Sequence, residues 1–230
     1  MASPSSVAGR SLAIPKNSEA QIYGLFAVAM GLTFIGIVLG IQFAPLLLGT
    51  GINIIFLIAQ LVVIFSARFW VDRTPLNYLL FGAFPLLSGI TLTPYILYVL
   101  AGYTNGGTIL LNACASTVFM AAGSAVFART TSWNLGMFSR ALFFGLLGLI
   151  GLGVLQIFVP AFRSTQMELI ISGAGVVFFA MYIAFDVQRI AAYGKVGANP
   201  FMMALSLYLD IFNLFLYILR FMLAVYGDRR

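Results

Sequence analysis

The sequence predicts an all-α, polytopic membrane protein with seven transmembrane helices, and three observations carry that prediction. Of its 230 residues, 62% are hydrophobic and only 8% are charged. A soluble domain carries roughly a quarter charged residues to keep its surface in water. Apolar stretches long enough to cross about 30 Å of hydrocarbon recur seven times, and a helix satisfies its own backbone in lipid. Basic residues then collect in alternate connections, as a chain that threads back and forth requires.

The stretches fall at about 21–42, 46–67, 76–100, 107–128, 141–160, 168–188 and 201–226. Pro45, Pro75, Asn105-Gly106-Gly107, Pro160 and Asn199-Pro200 mark most of the breaks. The first stretch is too long for a signal-peptide core and lacks a convincing small-x-small cleavage site. Residues 1–19 read as a polar, disordered arm, and residues 20–230 as a single seven-helix domain.

Arg10 and Lys16 precede the first span; Arg68 and Arg73, Arg129 and Arg140, and Arg189 and Lys195 lie in alternate connections. The opposite connections hold only Arg163, which places the N-terminus in the cytoplasm. Seven crossings leave Arg229 and Arg230 on the far side, against that rule, whereas a re-entrant last segment would return them. Residues 201–226 are long enough to cross, and seven crossings is the reading adopted.

The chain has no His, which excludes a His-based zinc site, a Ser-His-Asp triad and an imidazole relay. Its one cysteine, Cys114, sits in an apolar stretch and reads as a packing residue. The net charge of +6 does not indicate nucleic acid, because the basic residues occur singly. The partner the composition implies is the lipid bilayer. Gly31, Gly36 and Gly40 in span 1, and Gly145, Gly148, Gly151 and Gly153 in span 5, would let helices approach closely. Packing within one chain is favoured, giving a monomer, with a dimer interface as the second use of these faces.

Acidic groups inside a membrane are costly and mark function. Glu19, Asp72, Glu168 and Asp228 fall in flanks or connections, but Asp186 and Asp210 lie inside apolar runs. They are 24 residues apart, with their midpoint in the turn at 194–200. In an antiparallel hairpin about that turn, equal rises of about 1.5 Å per residue bring both to similar depth. Two carboxylates in poorly solvated surroundings do not both ionise easily, so the pair is expected to share a proton and latch the last two helices together. Loss of that proton sets like charges against each other, and the exposed carboxylates could transiently hold a hard cation such as Ca²⁺. The structural alternative is that each Asp merely bonds a neighbouring helix. Arg68 and then Arg73 are the candidate counter-charges, although an interfacial anchor explains each. Arg220, ten residues beyond Asp210, is expected to snorkel to the far surface. Gln60, Asn53, Asn112, Ser116, Thr117 and Asn213 are further polar residues that could line a path or hydrogen-bond between helices.

Residues 204–215, centred on Leu207-Tyr208-Leu209-Asp210 and followed by Leu219-Arg220, resemble the signature of the Bax inhibitor-1 family. Phe185-Asp186-Val187-Gln188 is similar to that family's Tyr-Asp-x-Gln element, and Ser88-Gly89-Ile90-Thr91-Leu92-Thr93-Pro94 to its third-span motif. The resemblance implies six helices around a central C-terminal seventh. It also implies a calcium leak regulated by pH through an Asp pair that maps onto Asp186 and Asp210. Eukaryotic relatives suppress cell death from the endoplasmic reticulum, and a bacterial relative restrains a membrane-bound AAA protease. The short Asp-Arg-Arg tail favours a bacterial member, in the inner (plasma) membrane. Phe185 replaces the family's Tyr, and Gln60 stands where bacterial relatives carry a span-2 acid.

The expected function is thus a pH-sensitive Ca²⁺ leak with no enzymatic activity and no resident cofactor. The alternative is a regulator that binds a membrane protease or other stress-response protein. An intramembrane aspartyl protease ranks last, because Leu207-Tyr208-Leu209-Asp210 lacks the Gly-x-Gly-Asp element those enzymes share.

Overall fold

The computed structural model describes residues 18–193 and 199–228. The arm through residue 17, the turn at 194–198, and with them Arg10, Lys16, Lys195, Arg229 and Arg230, lie outside the described residues. Among the described residues the chain is helical and forms no strand. In order come α1 (Ser18–Gln42), α2 (Ala44–Gly49), α3 (Ile52–Phe65), α4 (Ala67–Trp70), α5 (Leu76–Gly102), α6 (Gly106–Thr130), α7 (Ser139–Phe158), α8 (Thr165–Tyr193) and α9 (Pro200–Tyr226). Short 3-10 turns, Leu135–Phe138 and Pro160–Arg163, flank α7.

Six of these helices are long and apolar enough to cross a membrane: α1, α5, α6, α7, α8 and α9. Their limits follow local chemistry. Asn199 starts α9 by accepting the N–H groups of Phe201 and Met202, with Pro200 at a position that needs no donor. The second span differs from expectation. The stretch read as one helix over 46–67 is broken at Thr50-Gly51, where Gly51 takes φ +69°, in the left-handed region. Hydropathy registers the apolar side chains on both sides of this break and not the backbone turn between them. What remains, α3, is 14 residues long, or about 21 Å, short of the roughly 30 Å hydrocarbon layer.

Helices α1 and α5 make the closest crossing, and two glycines permit it. A Cβ on Gly36 would collide with the Leu86 carbonyl, and one on Gly89 with the Thr33 carbonyl and the Ile37 amide. Gly40 lies against Thr93, and Gly145 of α7 lies beneath the Phe178 ring. Gly31, Gly148, Gly151 and Gly153 have no neighbour within 4 Å of such a Cβ, so only part of each expected small-residue face is used within the chain.

Half of the most apolar stretch of α9 is buried, against 11% for α7. Helix α9 lies against α8, α1 and α6 and touches α5. It is therefore an inner element, while α7 is peripheral. Phe34, Val118, Phe119 and Phe144 are exposed on the outside of the bundle, where lipid is their natural solvent.

The end that carries Arg68, Arg129 and Arg189 is fastened by side chains. Asn199 Nδ2 donates to the Val71 carbonyl at 2.9 Å and to Asp72 Oδ1 at 2.6 Å. Gln188 accepts the Leu135 N–H at 2.7 Å and donates to the Trp133 carbonyl at 2.8 Å. Arg129 pairs with Glu19 in the first turn of α1.

Candidate functional site: a buried carboxyl pair

Helix α8 presents Ile183, Ala184, Asp186, Val187 and Ile190 to the interior, and α9 presents Leu207, Tyr208, Asp210 and Leu214. The two acids come together on these packed faces. Asp186 is 2% exposed and Asp210 7%. Their carboxyls are neighbours across the α8–α9 contact, and Ser206 lies one turn before Asp210 on α9. Asp186 Oδ2 and Asp210 Oδ2 meet no donor among the described residues. Two ionised carboxylates offer only acceptors, so a proton held between them is the group that would complete the pair.

A cation stands beside it. Arg189 Nη1 lies 3.3 Å from Asp186 Oδ1, and its guanidinium lies over the Phe185 ring at 5.9 Å. The expectation that Arg68 or Arg73 supplies the counter-charge is corrected: the paired cation is Arg189, three residues along the same helix. Arg68 stacks on Phe69 at 4.6 Å and shares an open cavity of about 450 Å³ with Arg189 and Ser206. Arg73 is not part of that lining.

The candidate path residues are spread along the bundle, and Thr117 lines a cavity of about 560 Å³ with Thr33 and Phe212. Gln60 donates to Thr91 Oγ1 at 3.1 Å and accepts from Ser88 Oγ at 2.9 Å, which clasps α3 to α5. On the other side of α9, the Tyr208 hydroxyl bonds Thr33 Oγ1 at 2.7 Å. Thr117 donates to the Ala113 carbonyl at 2.7 Å and Asn213 to the Leu209 carbonyl at 2.8 Å, each within its own helix. Ser116 is half-buried and Asn112 is exposed on α6. Asn53 is half-buried near the start of α3, and its Oδ1 has no protein donor. No cluster of three or more acidic, Cys or His side chains exists among the described residues. Two carboxylates and a hydroxyl could hold a hard cation only in transit, since Ca²⁺ takes six to eight oxygens at rest.

A second polar cluster, missed by the sequence reading, occupies the opposite end. Arg220 Nε bonds Glu168 Oε1 at 2.6 Å, and its Nη2 bonds Glu168 Oε2 at 2.9 Å and Gln156 Oε1 at 2.7 Å. Gln156 Nε2 closes the set on Glu168 Oε2 at 2.9 Å. Arg220 does not simply snorkel outward, and Glu168 is not a free flanking charge; together they join α9, α8 and α7. The only sequence signal was an opposite pair of charges near the same end of the hairpin. An open cavity of about 900 Å³ borders this cluster, lined also by Tyr95 and Arg163. Arg220→Leu leaves Glu168 without its cation. A loss of about 1–3 kcal/mol is expected, toward the lower end because both side chains are about a quarter exposed. Chemical denaturation in micelles, run as a double-mutant cycle with Glu168→Gln, checks it: the double variant should lose less than the sum of the single losses.

A helical bundle with six helices fit to cross the bilayer and an acid pair buried between its last two long helices defines a multi-pass membrane protein with a buried carboxyl pair. The family model described as "Inhibitor of apoptosis-promoting Bax1" matches residues 16–226, and the chain belongs to this Bax inhibitor-1 family. It is 33% identical over 201 residues to an uncharacterized protein of Campylobacter jejuni, covering 86% of this chain and 84% of that one. It is also 29% identical over 180 residues to Protein LIFEGUARD 3 of Arabidopsis thaliana, covering 77% and 69%. Protein lifeguard 4 of Mus musculus is 26% identical over 226 residues, covering 96% and 90%.

Proposed function

We propose that the protein is a pH-sensitive cation leak, most suited to Ca²⁺, in which Asp186 and Asp210 form the titrating gate. The observation that supports this reading is the pair of neighbouring, buried carboxyls, each with an Oδ2 that meets no donor among the described residues. With one proton the pair ties α8 to α9, and its one remaining negative charge is answered by Arg189. When that proton leaves, two negative charges face each other where water is scarce, which both parts the helices and attracts a divalent ion. Flux therefore rises as the shared proton is lost. A second proton weakens the tie by removing the charge-assisted bond but creates no attraction, so the acid arm is the smaller one.

The broken α2–α3 segment provides the remaining crossing beside the six long helices, with α9 the inner element of a seven-span bundle. The charge distribution favours a cytoplasmic N-terminus and cytoplasmic placement of the end with Arg68, Arg129 and Arg189. The bacterial relatives favour a bacterial inner membrane. No covalent chemistry is assigned to the site. Purified protein in liposomes loaded with a Ca²⁺ indicator should give flux above empty liposomes that increases from acid to alkaline pH. Flux equal to empty liposomes across that range would overturn this reading and favour a role in binding another membrane protein.

A further inference from the structure

At the end of the bundle that carries Arg68 and Arg189, the α3–α4 segment and the α8–α9 hairpin leave the open cavity of about 450 Å³ between them. Its lining has two chemistries. Arg68, Arg189 and Ser206 supply two positive charges and a hydroxyl; Ile64, Phe65 and Leu209 supply an apolar wall. Among the described residues no acid lines it. Arg189 reaches out of the cavity to Asp186 through a single 3.3 Å contact and stays 34% exposed in its side chain. Arg68 is held in place by its stacking on Phe69.

Two basic side chains that line one cavity favour an anion between them, because like charges at short range repel. A small free anion would answer the charges and leave the apolar wall in water. An amphiphile answers both, and basic pockets between helices at a membrane's cytoplasmic side suit anionic headgroups.

We propose that this cavity binds one anionic phospholipid. Its headgroup phosphate lies between Arg68 and Arg189 and accepts the Ser206 hydroxyl, and one acyl chain runs along Ile64, Phe65 and Leu209. Arg189 is also the cation paired with Asp186, so the lipid draws it away from the acid pair. That coupling rests on the reading of the pair as a gate; the binding site does not.

Native mass spectrometry of the full chain, released from nanodiscs of phosphatidylcholine with a minor fraction of phosphatidylglycerol, tests the site without measuring flux. One phosphatidylglycerol should be retained, enriched about tenfold over its share of the bilayer. Arg68→Gln should abolish the enrichment, and Arg73→Gln should preserve it. Met202→Trp fills the cavity while keeping both arginines and should also abolish it. Equal enrichment in Arg68→Gln and Arg73→Gln would overturn the proposal in favour of diffuse surface attraction. Displacement of the lipid by inorganic phosphate would overturn it in favour of a free-anion site. Flux in liposomes with and without phosphatidylglycerol then tests the coupling alone. An unchanged pH profile with the lipid still retained would refute the coupling and leave the site standing.

Discussion

Asp210→Asn should produce a protein whose ion flux is low and independent of pH. The amide N–H of the new side chain can donate to Asp186 Oδ2, an oxygen that meets no donor among the described residues of the native chain. That bond does the work of the shared proton but cannot be titrated, so alkaline conditions no longer release α8 from α9. The native increase in flux with pH should shrink to less than about twofold across the same range. Asp186→Asn removes the same titration but also frees Arg189 from its 3.3 Å contact. Its flux should be equally flat and should settle at a higher level. Indicator-loaded liposomes measured at matched protein density check both. A native pH slope in Asp210→Asn would mean that the titrating group lies elsewhere.

The second large effect concerns assembly rather than gating. Gly89→Ala places a methyl group 2.8 Å from the Ile37 amide and 2.9 Å from the Gly36 Cα, and into the Thr33 carbonyl. All three are backbone atoms of α1, so no side chain can swing away; the helices must separate. Overpacking of this kind costs about 3 kcal/mol, and here it strikes the crossing on which close van der Waals packing in lipid depends. The midpoint of chemical denaturation in micelles should fall accordingly. Gly31→Ala and Gly148→Ala meet open space and should stay within about 0.5 kcal/mol of the native protein. Equal losses at Gly89 and Gly31 would mean that α1 and α5 do not cross at this point.

Much of this was legible in the sequence, for identifiable reasons. The limits of the six long helices follow apolar run length and Pro, Gly and Asn punctuation, which local chemistry sets. The meeting of Asp186 and Asp210 follows from symmetry about one turn, since both helices of a hairpin rise equally per residue. What escaped was set by backbone angles or by distant partners. The break at Thr50-Gly51 depends on one positive φ inside an apolar run. The glycine faces divided by actual neighbours: Gly36 and Gly89 touch, whereas Gly151 and Gly153 do not. Arg189 was recoverable, because a basic residue three positions after a buried Asp shares its helical face. It was passed over in favour of cations on other spans. The Glu168–Arg220 bond joins residues 52 positions apart, and no local pattern announces such a pair.

The fastening at Asn199 has a mechanical consequence. One amide secures the start of α9 to the turn before α5, through Val71 and Asp72, and its Oδ1 closes the first turn of the helix. Helix α9, at 27 residues, is a rod about 40 Å long. Its other extremity is tied as well, since Asn105 Nδ2 donates to the Tyr226 carbonyl and Thr104 Oγ1 to Asp228, so the rod is held at both ends. Asp210 lies about 15 Å along the rod and Arg220 about 30 Å, both between the two anchors. A rod supported at both ends gives most between its supports, and the acid pair occupies that stretch.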